Sequence, residues 1–399
     1  MLPPICKELN LNIPAVGGWM FSSLEMLMRQ SNHKYAVATV YPGKNLISRT
    51  IDGVTYYLLP LKGKSIISYN PHLEKYWFDI STSFKPDVVH IHGSEFPHGL
   101  SFVKANGPKG VVVSIQGIIS TYAGYYIAGI DYKEIKNCLT IRDFLKNDSI
   151  LKEQQKFEKR GELEIQLLKS IHHIIGRTEW DKAHCWALNP EAQYHHCGET
   201  LRPSFYNNKW KYDNCEPHSI FVSQGNYPIK GLHMLLKAMP LILREYPDAK
   251  VYVAGNNIME VPFYRLSGYA KYLKNLIKEI HLDGKVSFTG LLDEQQMCER
   301  YLKSNVFVCP SSIENSPNSL GEAQLLGMPY VASFVGGVPE IVNWNSEVLY
   351  RFEEYEMLAS KICKVFEVNH IIDKADLSIY DGSSNCKALL SIYSEIANS

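Results

Sequence analysis

Glu314 and Glu322, with seven residues between them, are the two side chains whose spacing and surroundings most suggest chemistry. The apolar run 306–309 before them reads as a buried strand. Ser316 is then predicted as a helix N-cap, Pro317 as the first helical residue, and Gly327 as the residue closing the helix at C′. That places Glu314 in the loop before the helix and Glu322 inside it. The N–H groups of Asn318, Ser319 and Leu320 would point out of the helix start, where the dipole favours an anion. An anion-ready helix end flanked by carboxylates suits a phosphorylated sugar. The helix end serves the phosphate, and the glutamates, which phosphate repels, serve sugar hydroxyls.

A second loop, Gly225-Asn-Tyr-Pro-Ile-Lys-Gly231, comes after a predicted strand and precedes a predicted helix. Gly225 would let the backbone approach a ligand, and Lys230 at the helix entrance would neutralise phosphate. Earlier in the chain, His92 and Glu95 fall just past a buried strand, where open parallel sheets bind ligands. Gln116 ends another strand. A glutamine exchanges no protons near neutral pH, so it offers hydrogen bonds and not base catalysis. Arg177 and Arg202 are further cations that could reach a ligand or serve as salt-bridge partners.

The stretch from strand through Glu314, Ser316-Pro317, Glu322 and Gly327-Met-Pro resembles the E-x7-E signature of family 4 glycosyltransferases. Gly336-Gly337-Val338-Pro339-Glu340 resembles the same family's next loop, and the likeness runs from about Gly17 to Glu340. It implies the GT-B fold, two Rossmann-like doubly wound α/β domains facing a central cleft, and sugar transfer from a nucleotide diphosphate with retention of configuration. The 225–231 loop resembles the family's G-R-x-x-x-K-G element, with Lys230 at the pyrophosphate and Asn226 where arginine is usual. Gly17 and Gly18 resemble the family's Gly-Gly loop facing the donor phosphate. Gln116 stands where many members have histidine, which fits a front-face mechanism in which the leaving phosphate takes the acceptor proton.

The resemblance therefore implies Glu314, Lys230 and Gln116 as catalytic residues. Gly17, Gly18, Gly225, Asn226, Asn318, Ser319, Leu320 and Glu322 would bind the donor, with Glu322 on the ribose. His92, Glu95 and Arg177 are the acceptor-side or auxiliary candidates. No D-x-D stands near a strand end, so no metal and no cofactor is expected beyond the nucleotide sugar as co-substrate. The acceptor would be a hydroxyl of a glycan or lipid-linked sugar in surface polysaccharide assembly. Two other readings are a nucleotide-sugar epimerase of the same architecture, against which Gln116 weighs, and a non-catalytic sugar-nucleotide-binding relic.

Composition narrows the class. The 399 residues exceed what one core holds, so two domains are expected. With 41 basic and 41 acidic residues there is no global attraction to nucleic acid. Nine scattered cysteines without a C-x-x-C pair fit a reducing compartment, and no apolar stretch reaches the ~20 residues of a bilayer span. A cytoplasmic protein is expected, with at most peripheral contact at the inner face of the membrane.

Strands are predicted at 35–41, 54–60, 87–91, 111–115 and 172–175, and after a polar stretch at 219–224, 250–254, 285–289, 305–309 and 329–333. Residues 21–30 and 152–169 read as helices, the latter amphipathic among alternating Lys and Glu. Residues 198–218 read as an interdomain linker. The expected divisions are 1–205 for the acceptor side, 206–375 for the nucleotide sugar, and 376–399 as a helix crossing back to the first domain. Three prolines among residues 1–16 rule out a central strand before Gly17. The expectation there is a chain that starts late, its first strand missing and the 87–91 strand left with an unpaired neighbour position.

Overall fold

Runs of buried β-branched and aromatic residues set the sheets. Val111–113 and 306–308 expose almost nothing, the pattern of parallel strands covered on both faces. The computed structural model describes residues 2–11, 18–61 (side chains from residue 20), 67–368 and 376–399. The chain divides into two units. One is Met1–Thr121 with Lys156–Leu201 and Ser378–Ser399; the other is Tyr122–Gln155 with Arg202–Leu377.

In the first unit, β1 (Tyr35–Tyr41), β2 (Ile47–Ile51) and β3 (Val54–Pro60) form a sheet of order β1-β3-β2, with β2 antiparallel to β3. β4 (Val89–His92), β5 (Val111–Ser114), β6 (His173–Gly176) and β7 (Gln193–His196) form a parallel sheet in that order. Alternate residues of β5 serve opposite faces. Val111 and Val113 join Leu59, Leu73, Trp77 and Ile174, whereas Val112 meets Leu27, Leu389 and Ile392 of the helices Gly18–Gln30 and Gly382–Asn398. The last helix thus completes the first unit's core, and Asp381 caps it by accepting from the Ser384 N–H at 2.8 Å. Residues Pro3–Glu8 are helical, with Ile5 packed among Leu24, Val54, Tyr56 and Leu58. Gly17 lies outside the described residues.

The second unit carries six parallel strands: β8 (Glu216–Val222), β9 (Lys250–Val253), β10 (Val286–Phe288), β11 (Ser304–Cys309), β12 (Tyr330–Ser333) and β13 (Leu349–Tyr350). Their order is β10-β9-β8-β11-β12-β13, so the direction of winding reverses between β8 and β11. A reversal of this kind opens a crevice past the carboxyl ends of the two strands, the usual ligand site of such sheets.

Two sequence expectations are corrected. Residues 198–218 are not a linker throughout: the division falls between Leu201 and Arg202, and the stretch from Arg202 onward packs on the second unit. Phe205 is fully buried, and Trp210 Nε1 donates to the Ser304 carbonyl at 2.8 Å. Phe205 and Trp210 fasten this otherwise polar stretch to the second unit. The divisions expected at 205 and 375 fall at Leu201/Arg202 and Leu377/Ser378, and residues Tyr122–Gln155 belong to the second unit. Asp143 there accepts from the Gly268 N–H at 3.0 Å, and the Ala128 carbonyl accepts from His233 at 2.8 Å. The 152–169 helix is present as Ile150–Ser170, with Leu163, Leu167 and Leu168 packed in the first unit's core. Its Glu164 is buried, accepting from Ser94 Oγ at 2.6 Å and from the Ser120 N–H at 2.8 Å.

Candidate functional site

The loops leaving β8 and β11 meet in the second unit. After β8 the chain makes a tight turn at Pro228–Lys230, and Gly231 then starts the helix Leu232–Glu245. Gly231 has φ +66°, and a Cβ there would lie 1.7 Å from the Pro310 carbonyl oxygen, so only glycine lets the two loops touch. The Ser312 N–H donates to the Ile229 carbonyl at 2.8 Å and fastens them together.

This contact brings Lys230 to Glu314. The ammonium lies 2.5 Å from Glu314 Oε1, which also accepts from Ser311 Oγ at 2.8 Å. Ser333 at the end of β12 donates to the Ser311 carbonyl at 2.6 Å, so three strand ends hold one carboxylate. Burial alone would pull the Lys230 ammonium down, but Glu314 holds it above the ordinary lysine value. From behind, the Gly337 N–H donates to the Glu314 carbonyl at 3.1 Å. Gly336, at φ +52°, leaves room for that oxygen, which a Cβ would meet at 1.9 Å.

The helix predicted after Ser316 begins one residue later. Pro317 is its N-cap, with φ −71° and ψ 115°, and the helix runs Asn318–Leu326 to Gly327 at φ 69°. Asn318 and Ser319 head the helix, where N–H groups lack intrahelical acceptors. Leu320 does not belong with them: its N–H donates to the Pro317 carbonyl at 2.9 Å and its side chain is core.

Glu322 is held by a side chain that spacing could not pair with it. Arg202 Nε meets Oε1 at 2.6 Å and Nη2 meets Oε2 at 2.7 Å, a two-pronged ion pair. Burial pushes the Glu322 carboxyl above the ordinary range, and Arg202 pulls it back. Arg202 stands before Pro203, at the N-cap of the helix Pro203–Tyr206.

At Gly225 a Cβ would meet Leu232 Cδ2 at 2.7 Å and Val253 Cγ1 at 2.9 Å, so the absent side chain also serves packing. Asn226 is exposed. Neither arginine is a spare cation for its position, since Arg202 grips Glu322 and Arg177 is paired with Glu199.

The remaining candidates lie in the first unit, at the carboxyl ends of β4, β5 and β6. His92, Gln116 and Arg177 line one pocket with Ser23, Glu199 and Asn385. The His92 ring stacks on His90 at 3.8 Å, and His90 Nδ1 is 2.6 Å from the Tyr393 hydroxyl. Glu95 lies outside that lining, partly buried, and burial with the charge of Glu164 pushes its carboxyl up to about 7. Gly18 begins the helix Gly18–Gln30. Among the described residues no three His, Cys, Asp or Glu side chains gather as a metal site, and no helix is long and apolar enough to cross a membrane.

Known proteins resemble this architecture. Sucrose-phosphate synthase from Thermosynechococcus elongatus superimposes with a TM-score of 0.66 at 15% identity, covering 96% of this chain and 91% of that one. Anabaena HepE in complex with UDP gives 0.53 at 16% identity, covering 86% and 84%. These likenesses establish the two-domain α/β fold of GT-B type. In sequence, spore coat protein SA of Bacillus subtilis is 30% identical over 139 residues, 34% of this chain and 35% of that protein. A GDP-mannose-dependent monoacylated alpha-(1-6)-phosphatidylinositol monomannoside mannosyltransferase of Corynebacterium glutamicum is 25% identical over 147 residues, 35% of each chain. The matched stretch thus spans about a third of these relatives. The Glycosyl transferases group 1 family model matches residues 205–378, which cover the β8–β11 crevice, Lys230, Glu314 and Glu322. The chain thus has the GT-B fold, and its residues 205–378 are similar to the Glycosyl transferases group 1 family.

Proposed function

We propose that this chain is a retaining hexosyltransferase of the E-x7-E type. It moves a sugar from a nucleotide diphosphate to a hydroxyl of a glycan or lipid-linked acceptor, in the cytoplasm at the inner face of the membrane, for surface polysaccharide assembly. The observation that carries this reading is the Lys230–Glu314 pair held at the β8–β11 reversal, beside the start of the helix Asn318–Leu326. The pair offers a cation for phosphate and a carboxylate for sugar hydroxyls at one point.

In this reading Glu314 orients the donor sugar and Glu322 holds the ribose. As the bond from the anomeric carbon to the diphosphate oxygen breaks, negative charge grows on that oxygen. Lys230 and the N–H groups of Asn318 and Ser319 stabilise it. The acceptor hydroxyl attacks the same face, and its proton passes to the departing oxygen. Gln116 hydrogen-bonds a donor hydroxyl or phosphate during the reaction, His92 and Arg177 serve the acceptor through hydrogen bonds, and Glu95 is auxiliary.

Incubation with a panel of nucleotide sugars and acceptors, with NMR of the products, tests the assignment. The new linkage is expected to keep the donor's anomeric configuration, and an inverted product would overturn the reading. Turnover is also expected to persist in excess EDTA, since side chains and helix N–H groups carry the charge. Loss restored by magnesium or manganese would contradict this.

A further inference from the structure

Resting on the reading of Glu322 as the ribose ligand, we propose that Arg202 is the positioning residue for that contact. It holds the Glu322 carboxylate in one orientation for a vicinal diol and so sets a preference for ribonucleotides. A carboxylate has about four lone-pair positions, two on each oxygen. The guanidinium fork takes one on each, at 2.6 and 2.7 Å, and leaves one on each for two neighbouring hydroxyls. Glu322 is 4% exposed, so its carboxylate has few ways to turn.

Arg202 is itself fixed. Its guanidinium stacks 4.9 Å above the ring of Phe205, which is fully buried, and nearby Ser204 donates its N–H and Oγ to Glu294 Oε1 at 3.0 and 2.7 Å. Lysine cannot imitate this, because it is a point charge without a planar fork. Besides Arg202, the charge felt at Glu322 is that of Glu294, and Tyr301 and Cys298 on the same helix Glu294–Leu302 have their own groups raised by the Glu322 charge. None is a cation. With Arg202 gone, burial and Glu294 both push the Glu322 carboxyl upward, and it takes a proton more easily.

The test is calorimetric binding of UDP, GDP and ADP, each beside its 2′-deoxy form, from pH 6 to 9. The diphosphate that wild type binds most tightly serves for the variants. Wild type is expected to favour the ribo form roughly tenfold or more, as hydrogen bonds to a charged group allow, with little change across this range. Arg202→Gln is expected to lose most of that preference at pH 6 and regain part of it towards pH 9. Arg202→Lys is expected to keep the flat profile with a reduced preference, and circular dichroism confirms that each variant is folded. A folded Arg202→Gln with the wild-type ratio and a flat profile overturns the inference. If Glu322→Gln also keeps the full ribose preference, the ribose assignment itself fails.

Discussion

Lys230→Met is expected to lower kcat by about 10²–10³-fold, the range for losing one preorganised donor to a developing oxyanion. Methionine keeps the aliphatic stem but brings no charge to the leaving diphosphate. Its loss acts mainly on the chemical step, because the charge that Lys230 answers grows as the bond breaks. The substitution also strands Glu314, whose side chain is 10% exposed, without the cation 2.5 Å away. Removing one partner of such a pair is strongly destabilising, so Tm should fall as well. The double variant Lys230→Met/Glu314→Gln separates the two effects: it should recover much of the Tm and none of the turnover. Coupled rates of nucleoside-diphosphate release with the best donor and acceptor, alongside thermal melts, provide both readouts. Recovery of kcat in the double variant would mean that Lys230 only shields Glu314 and takes no part in the chemistry.

The sequence revealed this site as far as its signals are local. A strand, a loop, a helix start and a glycine stop lie within about twenty residues of one another, and each leaves a mark in residue types. Thus β1 and β3 fall at 35–41 and 54–60 as expected, and the helix carrying Glu322 is displaced by one residue because Pro317 adopts an extended ψ. The strands that escaped notice lack such marks. β7 reads Gln-Tyr-His-His, β2 alternates through Ser, Arg and Thr, and β13 is two residues long. Pairings between distant residues leave no local trace. Lys230 and Glu314 are 84 residues apart, and Arg202 and Glu322 are 120 apart. Their meeting is a consequence of strand order, which no window of sequence contains. For that reason Arg202 stood open between a ligand cation and a salt-bridge partner until the fold supplied Glu322.

Strand order also explains why the 122–155 segment cannot be assigned from its sequence, and its anchor makes a measurable prediction. His233 is fully buried on the helix Leu232–Glu245, and its Nε2–H donates to the Ala128 carbonyl at 2.8 Å. Tyr269, Tyr272 and Phe352 surround the ring. Burial lowers this histidine from 6.5 to about 4, with the nearby Lys237 adding to the effect and the Ala128 bond opposing it. Between pH 6.5 and 4 the unfolded chain protonates this residue and the folded chain does not, so stability present above 6.5 is lost as pH falls. Each pH unit is worth about 1.4 kcal/mol, or ~3 kcal/mol across the window. Urea unfolding at several pH values, monitored by tryptophan fluorescence, should show this slope in wild type. His233→Gln, which keeps an N–H for Ala128 but cannot titrate, should be flatter by that amount over the same window. If the two curves run parallel from pH 6.5 to 4, His233 does not anchor the segment as a neutral donor.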